Sequence, residues 1–143
     1  MNGTVSGWSV SAHVADNPQG ATTASHSAAL SAGGDSQGDT LAQSFSTVVG
    51  QSYAIDFDAG IFGRRTGAPL QLRVDILGTG TLVSQLLTPP DSNTFTASAV
   101  TFQHYRFTFT ANSATTTLRF TSVGLGNASA DQVVDTVAVT LLP

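Results

Sequence analysis

The feature that most restricts this chain is a two-residue alternation of large apolar side chains, cut every ten or so residues by clusters of Gly, Pro, Asn, Asp and Ser. Tyr53, Ile55 and Phe57 form one such row, and Leu70, Leu72, Val74 and Ile76 a second. Tyr105, Phe107 and Phe109 form a third, and Leu118 and Phe120 a fourth. Successive side chains of a strand point to opposite faces, so each row is one face of a strand and together they predict the core. The clusters between them (DNPQG, GGDSQGD, FGRRTGAP, LTPPDSN, TANSA, GLGNASAD) supply the turns. Helical periodicity is sustained nowhere. Trp8, Val10, Ala12 and Val14 predict a weaker first strand, Phe45 anchors one near 41–49, and Val133 to Leu141 closes the chain. Short strands at this spacing predict an all-β sandwich or barrel of about eight to ten strands, in one domain over residues 1–143.

Residue usage narrows the chemistry. All five basic residues are Arg, all nine acidic residues are Asp, cysteine is absent, and the formal net charge is −4. Without Cys, Lys or Glu there is no thiol catalysis, no disulfide, no Schiff base and no glutamate acid/base pair. The negative balance argues against nucleic acid as a partner. No apolar run approaches the roughly 20 residues of a membrane helix, so membrane insertion is not expected. Met1 is followed by NGTVSGW without a charged start and apolar core, so any export signal is expected to lie outside this chain.

Catalytic signatures fail on context. Gly34-Asp35-Ser36 sits in a Gly/Ser-rich turn without a downstream Asp-x-x-His, and Gly78-Thr79-Gly80 has no third glycine and no following helix, which makes it a hairpin turn. Asp56-Phe57-Asp58 puts two carboxylates on one strand face, a pattern more common as surface charge. His13, His26 and His104 show no metal-ligand spacing. Asn2 and Asn127 each head a glycosylation sequon. An enzyme is not expected.

The polar positions between the apolar rows are Asp56, Asp58, Gln71, Arg73, Asp75, Arg106, Thr108 and Arg119. If these strands are neighbours, one sheet presents an arginine-bearing outer surface, either a solvated face laced with ion pairs or a platform for a polar ligand. Phe62, Arg64 and Arg65 fall in a Gly-flanked segment expected to be a loop. A ring to stack on and forks of donors are what a sugar site requires. Phe62, Arg64, Arg65, Arg73 and Arg106 are therefore the candidate ligand-binding residues, beside the alternative of a solubilising hairpin tip. Trp8 is assigned to the core.

In the closing strand, Val133, Val137, Val139 and Leu141 make an apolar row that includes one carboxylate, Asp135. A charge in such a row needs a cation or several donors. A bound calcium, a salt bridge to an arginine and a solvated strand end all answer that need.

The order of motifs carries a resemblance. Asn2-Gly3-Thr4 to Gly7-Trp8 is followed by Ala24-Ser25-His26-Ser27 to Leu30. Leu41-Ala42-Gln43, Gly50-Gln51-Ser52-Tyr53 and Val134-Asp135-Thr136-Val137 come after them. This order resembles the galactose-binding-like β-sandwich (jelly roll) of bacterial carbohydrate-binding modules and anchored surface proteins. The resemblance implies a non-catalytic carbohydrate-binding module, carried on a larger secreted or cell-surface protein, with a glycan as partner. The arginines suit an acidic or highly hydroxylated glycan. It also implies a structural calcium held by Asp135, with Asn2 and Asp16 as further candidates, although the family's early glutamate has no counterpart at Val5 and Ser6. The competing expectation is a structural or adhesive surface or capsid-decoration sandwich that binds protein partners or itself.

Overall fold

The computed structural model describes residues 8–11, 15–17, 27–31, 37–64, 69–96, 99–124 and 130–143. Among these residues ten strands form two five-stranded sheets. They are β1 (Ser9–Val10), β2 (Ala15–Asn17), β3 (Ser27–Leu30), β4 (Thr40–Ser46), β5 (Ser52–Gly63), β6 (Gln71–Gly78), β7 (Gly80–Leu87), β8 (Phe102–Thr110), β9 (Thr115–Val123) and β10 (Ala130–Leu141). Sheet A runs β1-β4-β9-β6-β7 and sheet B runs β2-β3-β10-β5-β8, with every strand pair antiparallel. The fold is an antiparallel β-sandwich, and no helix among the described residues is long and apolar enough to cross a membrane.

The alternating rows make the interior. Ile55, Phe57, Leu72, Val74, Ile76 and Phe120 are fully buried between the sheets, with Leu118 1% exposed. The rings meet across the gap. Phe57 of sheet B packs edge-on against Phe120 of sheet A at 5.0 Å between centroids, and Trp8 lies 6.2 Å from Phe120, as its assignment to the core requires. Phe109 stacks on Tyr53 at 5.5 Å and meets Phe45 of sheet A at 6.5 Å. The buried Tyr53 hydroxyl accepts a hydrogen bond from the Val48 amide, so its polar end is satisfied in the turn before β5. One polar side chain joins the sheets. Gln132, fully buried, donates through Nε2 to the backbone carbonyl of Gln71 at 3.0 Å.

Only β2–β3 and β6–β7 are sequential partners within one sheet; elsewhere the chain crosses from one sheet to the other. The β6–β7 turn is the hairpin expected at Gly78-Thr79-Gly80, with Gly80 in the left-handed region at φ 78°. The crossings correct one expectation. Arg73, Asp75 and Arg119 lie in sheet A, whereas Asp56, Asp58 and Arg106 lie in sheet B. The arginines therefore do not share a surface.

β10 brings a second correction. Val134 pairs with Ala59 and belongs to the core, so Val133 and Asp135, its neighbours, belong to the outer face of sheet B. The register shifts between Asp135 and Ala138, and Thr136 takes φ 53°. This bulge turns Val137 back toward the core, where it packs. Asp135 thus does not stand in an inward row.

Candidate functional site

The outer face of sheet B carries two groups of side chains. Phe57, Ala59 and Ile61 point inward on β5, which leaves Asp56, Asp58, Gly60 and Phe62 facing out. Phe62 is therefore the outward end of a strand and not part of a loop. The connection after β7 returns alongside it: the Gly63 amide donates to the Thr94 carbonyl at 2.8 Å, and the Ile61 amide to the Pro90 carbonyl at 3.2 Å. That places the Phe95 ring edge-on to Phe62, 6.2 Å between centroids. Arg64 holds its guanidinium 5.7 Å from the centre of the Phe95 ring. Phe95 remains 53% exposed, so a large part of its ring faces solvent.

Across from Phe62 on β10 is Asp131. Directly opposed residues of an antiparallel pair bring their Cβ atoms to about 5 Å. The carboxyl is largely withdrawn from water, and burial pushes its pKa up to about 7. No hydrogen bond or ion pair reaches it among the described residues. A weakly acidic carboxyl beside an exposed aromatic cluster can take a hydroxyl either as acceptor or, when protonated, as donor.

The second group occupies the middle of the face. His104 on β8 lies opposite Asp58, and Arg106 lies opposite Asp56. The His104 ring contacts Asp56 through Nε2 and Asp58 through Nδ1, both at 2.9 Å, and Arg106 Nη1 is 3.5 Å from Asp56 Oδ2. On the other side of Asp58 stands Asp135. The two groups are separated at Gly60, where the chain at Val100–Thr101 lies directly on the sheet. A Cβ at Gly60 would come to 2.5 Å from the Thr101 carbonyl oxygen.

Of the residues singled out in the sequence, the structure brings Phe62 and Arg64 together through Phe95 and puts Arg106 on the same sheet. Arg73 is exposed on sheet A, opposite Leu86 and Thr121. Arg65, Asn2, both sequons and Gly34-Asp35-Ser36 lie outside the described residues. The backbone of Asp16 pairs with Ala28, which pairs with Val134, so Asp16 is two strands from β10, roughly 10 Å by sheet spacing. The bulge puts Asp135 outside the inward row that its spacing in the sequence suggested. Among the described residues no group of three or more His, Asp or Glu has the arrangement of a metal site. Phe95 and Asp131 were missed because neither belongs to an alternating row: one lies in a Thr/Ser-rich connection, the other closes the turn cluster GLGNASAD. His104, which showed no metal-ligand spacing in the sequence, meets the two aspartates through the pairing of β8 with β5.

No protein-family model and no curated protein matches this chain in sequence. Solved structures do match in shape. The CBM61 module in complex with β-1,4-galactotriose aligns over 96% of this chain and 90% of its own, with 12% identity and a TM-score of 0.70. The CBM22-1 xylan-binding domain from Paenibacillus barcinonensis Xyn10C aligns over 98% and 88%, with 13% identity and a TM-score of 0.60. The enzymatically active domain of bacteriophage CBA120 tailspike protein 4 aligns over 96% of this chain but 20% of its own, with 14% identity and a TM-score of 0.64. The fold is the β-sandwich of these structures. At these identities the likeness extends to architecture, and function has to be argued from the site.

Proposed function

We propose that this chain is a non-catalytic carbohydrate-binding module, borne on a secreted or surface-exposed protein, whose contact surface is the outer face of sheet B. The observation that carries the reading is the exposed Phe95 ring, braced by Phe62 and flanked by Arg64, next to the carboxyl of Asp131, which has no hydrogen-bond or ionic partner among the described residues. A sugar offers an apolar ring face and a rim of hydroxyls, and this cluster offers an aromatic surface and polar groups of both signs. Two of the shape neighbours are a module in complex with β-1,4-galactotriose and a xylan-binding domain. The charge of the face favours the neutral, hydroxyl-rich side of the sequence expectation. With His104 neutral, the described carboxylates Asp56, Asp58 and Asp135 outnumber the described arginines Arg64 and Arg106, and Arg106 is already paired with Asp56. A polyanionic glycan would then meet net repulsion there.

The test is a glycan array with wild type and Phe95→Ala. Neutral glycans should be retained in preference to acidic ones, and loss of the ring should weaken binding by about 1–2 kcal/mol. A strong signal confined to acidic glycans, or a Phe95→Ala variant that binds as wild type does, would remove this reading.

A second reading, an adhesive sandwich that contacts protein, draws on a different place. Val48, Val49 and Leu141 are 62%, 63% and 57% exposed, and they gather where Leu141 pairs with Tyr53 and the Tyr53 hydroxyl meets the Val48 amide. Concentration-dependent self-association that is abolished by Val49→Asp would support it.

A further inference from the structure

His104 sits between two carboxylates in a way that a neutral imidazole cannot satisfy. Its Nε2 lies 2.9 Å from Asp56 Oδ1 and its Nδ1 2.9 Å from Asp58 Oδ1. The neutral ring has one N–H; at its other nitrogen a lone pair would face a carboxylate oxygen. Both contacts become hydrogen bonds when the ring is an imidazolium. The surrounding charges agree. Facing His104 are Asp56 and Asp58 from β5, Arg106 from its own strand, and Asp135 one strand further on, while among the described residues β8 is the edge of the sheet. The hydrogen bond to Asp58, then that to Asp56, raise the ring's pKa above its usual value.

The partners differ in freedom. The two aspartate side chains are 17% and 18% exposed and held on a central strand, whereas the His104 side chain is 60% exposed on an edge strand. When the ring loses a proton, one contact becomes repulsive and the imidazole is the group free to move. The carboxylate oxygen it leaves is a strong acceptor already fixed on the face.

We propose that His104 is a proton-operated latch: the imidazolium occupies the Oδ1 atoms of Asp56 and Asp58, and its deprotonation releases a carboxylate to the hydroxyls of a neutral glycan, so glycan affinity rises with pH. The latch rests on the glycan reading above and adds its control. Ring and sugar hydroxyl compete for the same oxygens, so binding is linked to deprotonation, and by reciprocity bound glycan lowers the pKa of His104.

Two measurements on the 143-residue chain test it. In the first, nitrogen NMR of the histidine rings is followed against pH, for wild type, Asp56→Asn and Asp58→Asn. Below its midpoint His104 should carry protons on both nitrogens, and each substitution should lower that midpoint. In the second, affinity for β-1,4-galactotriose and for a xylan oligosaccharide is measured across the same range. Affinity should rise on the order of fivefold or more from the protonated to the deprotonated state, and His104→Gln should flatten the profile. A midpoint unmoved by either substitution, or an affinity that is flat while His104 titrates, overturns the latch and leaves the glycan module standing. Failure of both sugars to bind at any pH overturns the glycan reading and the latch's part in it, whatever the NMR shows.

Discussion

Asp58 and Asp135 stand directly opposite each other on β5 and β10, both on the outer face of sheet B. Like charges in that relation oppose strand pairing. Two features next to them offset or add to that strain. His104 contacts Asp58 from the other side, and immediately after Asp135 the chain bulges through Thr136 at φ 53°. A left-handed conformation costs an L-residue roughly 1–2 kcal/mol.

The latch has a thermodynamic signature of its own. The pKa of His104 is raised in the folded state above the ordinary 6.5. The stability it contributes is therefore fully present below that ordinary value and is lost as pH rises through the folded midpoint. The melting temperature of wild type should fall over that window relative to His104→Gln. Parallel profiles for the two proteins would contradict the raised pKa.

Asp131 predicts a substitution that stabilises. Its carboxyl is held at about 7 against an ordinary 3.8, with burial as the cause. The folded chain retains a proton that the unfolded chain releases, so stability falls as pH climbs from about 4 to about 7. Asp131→Asn should raise the melting temperature at neutral pH, have little effect below the unfolded midpoint, and weaken glycan binding. A destabilised variant at pH 7 would show that the carboxylate is favourably placed after all.

Gly60 is required for steric reasons, since its Cβ position is filled by the Thr101 carbonyl and the Val100 side chain. Gly60→Ala should cost about 1–3 kcal/mol by overpacking, read as a lower urea midpoint with an unchanged slope. An unaffected midpoint would mean that the chain at Val100–Thr101 lifts freely from the sheet.

The arginines separate by face. Arg64→Ala removes the cation over Phe95 and should weaken glycan binding by about 0.5–1 kcal/mol. Arg73→Ala, on sheet A, should leave binding unchanged, and both variants should stay within about 0.5 kcal/mol of wild-type stability. Equal losses from the two would place the ligand away from sheet B.

The alternating rows determined by themselves that this is an all-β chain, which residues fill its centre, and that Trp8 belongs there, because inside-out periodicity is a property of each strand alone; that the strands divide into two sheets was decided by the tertiary structure. Where those strands stand was not legible. Arg73 and Arg106 have the same pattern around them, yet the crossings of the chain send one to each sheet. The alternation also failed at Asp135, since one bulge at Thr136 reverses which side every later residue faces. Phe95 meets Phe62, Asp131 faces Phe62, and His104 reaches two aspartates only through contacts between segments far apart in the chain. Strand order and register decide such contacts, and both are set by the packing of the whole sandwich, which no local run of residues encodes.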